Sequence, residues 1–231
     1  MDQEKKFIRN DSMSESFSSI IDEESKRKRS FFSNSFDSEN ITNCERRIVY
    51  RSNGYEIKDS TDDFLKRNSI EFTRKKWVYV FDKCPSIKVI DRHVYSLADC
   101  HYNISGYVDA IIGIEDKIVS VKVQPVNDDY FEKIKLKGAS RKHAIDLMIC
   151  IWLSESDDGF LIYDNTNNNK YMVYHVNVYA PVIRSVKNKC LSMMKHKFNG
   201  SLPEKPYKSN LSEECIVCEF SKKCWEDNND R

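Results

Sequence analysis

The length, composition and charge of the chain exclude several classes of protein. The chain has 231 residues, of which 40% are hydrophobic, with 37 Lys and Arg against 36 Asp and Glu. Collagen, coiled-coil rods and small disulfide scaffolds are excluded, and no run of about 18 apolar residues could span a membrane. The polar N-terminus argues against a secretory signal. We therefore expect an intracellular protein, kept in a reducing compartment, whose net charge of +1 provides no overall positive field.

Residues 1–37 differ in composition from the rest of the chain. They are rich in Ser and charge and lack a sustained hydrophobic period, which predicts a flexible arm. From Ser38 the pattern is typical of an N-cap and a first helical turn, and this helix would carry Cys44. The predicted folded domain is therefore 38–231.

The predicted elements of this domain alternate between strands and helices. Runs rich in β-branched and apolar residues indicate strands, and apolar stripes indicate helices. In chain order they are a helix over Thr61–Phe81, strands over Ile87–Ile90, Val94–Leu97, Ile104–Ile114 and Ile118–Val123, a helix over Ser140–Leu153, strands over Gly159–Tyr163 and Lys170–Asn177, and a helix over Pro181–Lys197. This order predicts an α/β domain with a mixed central β-sheet flanked by helices.

Three of the eight cysteines lie close together in the C-terminal tail. Cys215, Cys218 and Cys224 form a C-x2-C-x5-C pattern, and clustered thiols in a reducing compartment indicate metal more often than a disulfide. Four-coordinate zinc and a [4Fe–4S] cluster both need a fourth ligand, for which Cys44 is the leading candidate. The spacing leaves zinc and iron–sulfur open.

A second candidate site lies on the predicted hairpin of the third and fourth strands. Asp109 lies on one strand and Lys122 on its neighbour, so the two side chains can converge at one edge of the sheet. A carboxylate there can hold Mg²⁺, and an ammonium can orient the attacking water and stabilise charge on a phosphate. Alternatively, Asp109 ends a strand and Lys122 points to solvent.

Taken together, these motifs resemble the PD-(D/E)XK nuclease superfamily. Within it the resemblance is to the iron–sulfur branch, which includes the RecB-like CRISPR-associated exonucleases and the AddB-type nuclease domains. The stretch from Gly106 to Asp109 resembles the G-x-x-D strand of the family, and Ser120-Val121-Lys122 stands where (D/E)-x-K is expected. Cys44 and the tail triplet resemble the cluster cysteines of the family. The match extends from Ser38 to Trp225.

The resemblance implies a function, cofactors and partners. The implied protein is a Mg²⁺- or Mn²⁺-dependent DNA exonuclease of replication, recombination or repair, with a restriction-endonuclease-like fold. The resemblance assigns a [4Fe–4S] cluster, with zinc as the alternative, to Cys44, Cys215, Cys218 and Cys224. Its partners would be single-stranded DNA or duplex ends, and replication or recombination proteins. The frequent Asn, Lys, Ile and Tyr suggest an AT-rich phage or viral genome, and hence the host cytoplasm.

The chain departs from the family at three active-site positions. Ser120 replaces the acid of (D/E)-x-K, and on the helix that stands for the Gln-x-x-x-Tyr motif Asp146 replaces Gln and Cys150 replaces Tyr. The early His common in this branch has no counterpart either. Because side chains alternate along a strand, Ser120 and Lys122 still share a face.

Three interpretations account for these departures. In the first, Asp146, or Glu71 from the early helix, joins Asp109 as a metal ligand and Lys122 assists the water. In the second, the metal site is lost and the fold is a DNA-binding or complex-assembly subunit. In the third, the protein is a zinc-clipped interaction protein in which Asp109 and Lys122 have no role.

Basic residues on the two early helices are the candidate DNA contacts. If these helices line one groove, their side chains supply the phosphate contacts that a nearly neutral chain otherwise lacks. They are Arg46, Arg47, Arg74, Lys75 and Lys76.

Overall fold

The computed structural model describes residue 19, residues 34–54 and residues 61–226, without the side chains of 61–67, 95 and 96. The chain divides into two units, one of residues 1–31 and 57–69 and the other of residues 32–56 and 70–231. The second unit contains the sheet and the candidate site. Most of the predicted arm lies outside the described residues, and the predicted boundary at residue 38 stays a prediction.

A mixed sheet of six strands forms the centre of the second unit. The strands are β1 (Phe36–Asp37), β2 (Lys88–Asp99), β3 (Ile104–Ile114), β4 (Lys117–Val126), β5 (Asp158–Asn165) and β6 (Tyr171–Val176). The order is β1-β3-β4-β5-β6, and β2 also pairs with β3. The β1–β3 and β4–β5 pairs are parallel and the others are antiparallel. The predicted α/β fold with a mixed central sheet is confirmed.

The α-helices within residues 34–54 and 61–226 are α1 (Glu45–Ser52), α2 (Thr61–Asp82), α3 (Asp128–Lys137), α4 (Arg141–Ser154), α5 (Ala180–Phe198), α6 (Glu213–Ile216) and α7 (Ser221–Glu226). Helices α2 and α4 pack on opposite faces of this sheet. Trp77 and Phe81 of α2 lie in one core cluster with Val121 of β4. Leu147 of α4 lies in another, with Val108 of β3. None of the helices in the described ranges is long and apolar enough to cross a bilayer.

The β3–β4 hairpin determines which side chains face α4. Ala110 pairs with Val121 and Ile112 with Val119 across this antiparallel ladder. Val119 and Val121 pack in the cluster on the α2 side, so alternation turns Ser120 and Lys122 to the other face. This arrangement places Lys122 under α4.

Several elements of the structure differ from the prediction. The strands predicted over 87–90 and 94–97 are one strand, β2, with two irregularities in its pairing to β3. The helix predicted from Ser38 is a 3-10 turn, Ser38–Asn40, and Cys44 is instead the N-cap of α1. Helix α3 was not predicted, although Asn127 caps its first turn by accepting a hydrogen bond from the Tyr130 amide.

Candidate active site

A buried cluster of charged side chains lies between the β3–β4 hairpin, α4 and the 3-10 turn after β1. Asp109 and Lys122 are fully buried and Asp146 is 2% exposed. The Lys122 ammonium forms an ion pair with the Asp146 carboxylate, and the Lys122 Nζ lies 3.4 Å from Oε1 of Glu39. The structure thus brings together three residues of the predicted catalytic set and adds Glu39.

The Asp109 carboxylate is held by three neighbours. The Tyr107 hydroxyl donates a hydrogen bond to Oδ1, and the Val123 amide donates one to Oδ2 at 2.7 Å. The Nε of Arg74 lies 3.7 Å from Oδ1. Burial raises the pKa of Asp109 above its usual value, although the charge of Arg74 opposes this shift. The carboxylate is therefore fixed in place, in surroundings that make its negative charge costly.

Lys122 and Glu39 hold each other in their charged forms. Burial, the largest single effect, would lower the pKa of Lys122, but the combined interactions with its acidic neighbours, chiefly Asp146, outweigh burial and raise the pKa. The pKa of Glu39 is lowered, chiefly by the charge of Lys122. At neutral pH this side of the cluster therefore consists of an ammonium facing carboxylates, and Lys122 cannot act as a base.

Two further side chains contact Asp146 on α4. The Ser38 hydroxyl donates a hydrogen bond of 2.6 Å to Asp146 Oδ1. The Cys150 thiol, one turn further along α4, lies 4.0 Å from the same oxygen and donates to the Tyr107 carbonyl at 3.3 Å. Burial raises the pKa of Cys150 to about 11, so this thiol stays neutral. Cys150 therefore adds no negative charge to the cluster.

Ser120 belongs to a separate group of hydroxyls. Its Oγ lies 2.8 Å from that of Ser154 and 3.0 Å from that of Ser156. Where the (D/E)-x-K motif described above would have an acid, this chain has a buried, hydrogen-bonded hydroxyl. Glu71, which the sequence offered as the alternative to Asp146 for a second metal ligand, pairs with Lys75 at 2.7 Å. The carboxylates that contact Lys122 are instead those of Asp146 and Glu39.

Sequence reasoning missed Glu39 because its position depends on a long-range pairing. Phe36 of β1 pairs with Ile104 of β3, and the 3-10 turn that follows carries Ser38 and Glu39 to the hairpin. In the sequence alone, Ser38 and Glu39 are typical of any helix start. No local signal distinguishes this acid from the others in the chain.

The predicted DNA contacts have partners within the chain. Arg46 is 1% exposed and donates to the Pro203 carbonyl at 3.0 Å. The other four form ion pairs: Arg47 with Glu219, Arg74 with Glu39 and Asp109, Lys75 with Glu71, and Lys76 with Asp164. Any role for them in binding DNA would require exchange of these partners.

The segment with the last three cysteines docks against α1, which begins just after Cys44. Glu219 pairs with Arg47 at 2.6 Å and with Arg51 at 2.7 Å. The Phe220 and Tyr50 rings are 5.4 Å apart. The two ends of the domain therefore meet, as a cluster shared between Cys44 and the tail would require.

Two of the four predicted ligands have shifted thiols. Burial raises the pKa of both Cys218 and Cys224. Within residues 34–54 and 61–226, however, no three His, Cys, Asp or Glu side chains are grouped as they would be around a metal ion. The metal centre of Cys44, Cys215, Cys218 and Cys224 therefore stays a prediction.

Comparisons with known proteins bear on the fold. No protein-family model matches the chain, and no curated protein matches it significantly. Among solved structures, that described as SSO0001 is 18% identical with a TM-score of 0.58, covering 94% of this chain and 98% of its own.

An alkaline exonuclease, LHK-Exo from Laribacter hongkongensis, has a similar fold. It is 9% identical with a TM-score of 0.53, covering 77% of this chain and 93% of its own. Its complex with dAMP gives 8% identity and a TM-score of 0.53, covering 75% of this chain and 94% of its own. The chain has the fold of these structures.

Proposed function

We propose that this protein is a divalent-cation-dependent DNA nuclease, of the exonuclease type, that acts in replication, recombination or repair. The observation that carries the proposal is the buried cluster of Asp109, Lys122 and Asp146 on a nuclease-like fold. Ion pairs buried in a core are often no more stabilising than apolar residues of the same volume. Buried groups with shifted pKa values are typical of functional sites, which gives a reason for a charged cluster here.

Mg²⁺ or Mn²⁺ matches the donor atoms of the cluster, although in the part of the chain that the structure describes its carboxylates are not grouped around one point as metal ligands would be. Asp109, Asp146 and Glu39 supply carboxylate oxygens, the ligands that both ions prefer. A bound ion would neutralise charge on the scissile phosphate and lower the pKa of a bound water. These carboxylates are now paired with Lys122 and Arg74, so binding requires that they share their oxygens with the ion.

The remaining residues of the cluster position these groups. Tyr107 and the Val123 amide fix the orientation of Asp109, and Ser38 fixes that of Asp146. The Lys122 ammonium stays protonated, so its role is to stabilise negative charge that develops on the phosphate and to orient the attacking water. The DNA substrate, single-stranded or a duplex end, is supported by the exonuclease neighbours, one of which is in complex with dAMP.

A second candidate function is a non-catalytic DNA-binding or complex-assembly subunit. The observation that favours it is Ser120, which is bonded to Ser154 and Ser156 where the family has a metal-binding acid. If Glu39 and Asp146 serve only to neutralise Lys122, the protein binds no catalytic metal ion and keeps the nuclease-like fold without hydrolysing DNA. The two candidates share DNA binding and differ in cleavage.

Cleavage in the presence and absence of divalent ions separates these candidates. Purified full-length protein is expected to degrade single-stranded or duplex DNA with Mg²⁺ or Mn²⁺, and to stop in EDTA, because ion loss removes the charge that stabilises the phosphate. Labelled substrates with each end blocked in turn will show whether degradation starts at an end. DNA that stays intact with both ions at high protein concentration, yet is bound, would establish the subunit function instead.

We also propose that Cys44, Cys215, Cys218 and Cys224 hold a [4Fe–4S] cluster. The docking of the tail on α1 supports it. Protein purified without oxygen is expected to be brown and to absorb near 400 nm, roughly where thiolate-ligated clusters do. Cys218→Ser should remove this absorbance, whereas Cys84→Ser should not. Colourless protein that contains one zinc ion would contradict the cluster.

A further inference from the structure

A cavity of about 640 Å³ lies beside the charged cluster, where the first turns of α4 and α5 meet the segment after the 3-10 turn. Its volume is within the range of about 300–1,000 Å³ usual for small-molecule sites. Three basic side chains line it, Arg141 and Lys142 from α4 and Lys189 from α5, and no acidic side chain does. The cavity therefore has a positive potential that the near-neutral chain as a whole does not have.

Two basic residues of the cavity, unlike those of the early helices, are available to bind an anionic ligand. Neither Arg141 nor Lys142 makes an ion pair with any part of the chain that the structure describes, and both are exposed. Lys189 is half-buried and donates to the Asn43 carbonyl at 2.7 Å, which holds it against the wall. Two exposed cations and one half-buried cation thus line a space without carboxylates.

The rest of the lining suits the other parts of a nucleotide. Ile41, Ile145 and Val182 provide an apolar wall, against which a sugar or a base can pack. Thr42 and Ser185 add hydroxyl groups, which donate hydrogen bonds to phosphate oxygens as readily as basic groups do. The lining therefore combines cationic, hydroxyl and apolar surfaces.

The position of the cavity relates it to the charged cluster. Ile41 and Thr42 follow Glu39 in the same segment, and Ile145 precedes Asp146 on α4. The charge of Lys142 contributes to the low pKa of Glu39. A nucleotide in the cavity would consequently have its neighbour in the strand close to the cluster.

We propose that this cavity binds the phosphate of a DNA nucleotide next to the one that is cleaved, with Arg141 and Lys142 as its main contacts. The proposal rests on the proposed function, because it takes the charged cluster as the cleavage site. It assigns DNA binding to α4 and α5 rather than to the arginines of the early helices, whose guanidinium groups are engaged within the fold.

The test measures DNA binding apart from cleavage. A fluorescent single-stranded oligonucleotide is titrated with full-length protein in EDTA, over a series of salt concentrations. The double variant Arg141→Gln, Lys142→Gln is expected to bind about tenfold more weakly at moderate salt. The slope of log K against log salt should become shallower by about 1.4, or roughly 0.7 for each lost phosphate contact. The control is Lys88→Gln, an exposed lysine at the start of β2.

Three competitors identify the source of the phosphate. Displacement of the oligonucleotide by dAMP but not by deoxyadenosine would support a site for a single nucleotide, and displacement only by unlabelled oligonucleotide would support one for the DNA backbone. If the double variant binds with the affinity and salt slope of Lys88→Gln, the proposal is overturned. Failure of the proposed function appears separately, as wild-type protein that binds DNA in this assay but does not cleave it with Mg²⁺ or Mn²⁺.

Discussion

Replacement of Lys122 by methionine is expected to lower the free energy of unfolding by about 3–5 kcal/mol. The substitution leaves the Asp146 carboxylate, which is 2% exposed, without the ammonium that neutralises it. Ser38 would still donate to Asp146, but one hydroxyl cannot compensate a buried charge. Chemical denaturation in EDTA, followed by circular dichroism, measures the loss.

A double variant tests whether the unpaired Asp146 carboxylate causes this loss of stability. The double variant Lys122→Met, Asp146→Leu removes the buried carboxylate of Asp146, while Glu39 is partly exposed and still lies 3.5 Å from Arg74. Most of the lost stability should therefore return, because apolar residues can replace a buried ion pair at little cost. Lys88→Met, at an exposed position, serves as the control and should change stability by less than about 0.5 kcal/mol. The ion pair of Lys122 with Asp146 would be contradicted if Lys122→Met lost no more stability than the control. It would also be contradicted if the double variant were no more stable than Lys122→Met.

Asp109→Asn is expected to lower the rate of DNA cleavage by about a thousandfold. The substitution removes a carboxylate from the proposed ion site, and several kcal/mol of transition-state stabilisation correspond to roughly this factor. Single-turnover rates with saturating protein measure the chemical step, and binding in EDTA should change little because Asp109 is buried.

Asp164→Asn is the matched control for this prediction. Asp164 is as buried as Asp109, forms an ion pair with Lys76 and accepts a hydrogen bond of 2.6 Å from the Trp77 indole. Its loss should affect stability but leave the cleavage rate of folded protein within a few-fold of wild type. Equal losses of rate in both variants would mean that the effect of Asp109 is structural.

The fold could be predicted wherever short-range pattern determines it. The β3–β4 hairpin follows from two apolar runs joined by a polar turn, and the alternation along β4 correctly places Ser120 and Lys122 on one face. The sheet-packing helix α4 follows from its broad apolar stripe. These features depend on residues within a few positions of one another, so their signal is present in the sequence.

The parts that could not be predicted depend on partners far apart in the chain. Glu39 reaches Lys122 only because β1 pairs with the start of β3. Arg47 looks like a DNA contact until Glu219, in the tail, is known to pair with it. Spacing and strand pattern already indicated Asp109, Lys122 and the cysteines, and the resemblance to a nuclease family added their roles. It could not add Glu39, because the motifs that carry the resemblance contain no acid at that place.

Binding of Mn²⁺, followed by electron paramagnetic resonance, tests most directly whether the buried cluster is a divalent-ion site. Wild-type protein and Asp164→Asn are titrated beside Asp109→Asn, without DNA and then with a non-cleavable oligonucleotide. Wild type and Asp164→Asn are expected to bind one Mn²⁺ that Mg²⁺ displaces, and Asp109→Asn at least tenfold more weakly. Equal binding by all three proteins, or none by wild type even with DNA, would contradict the assignment of this cluster as the site of hydrolysis.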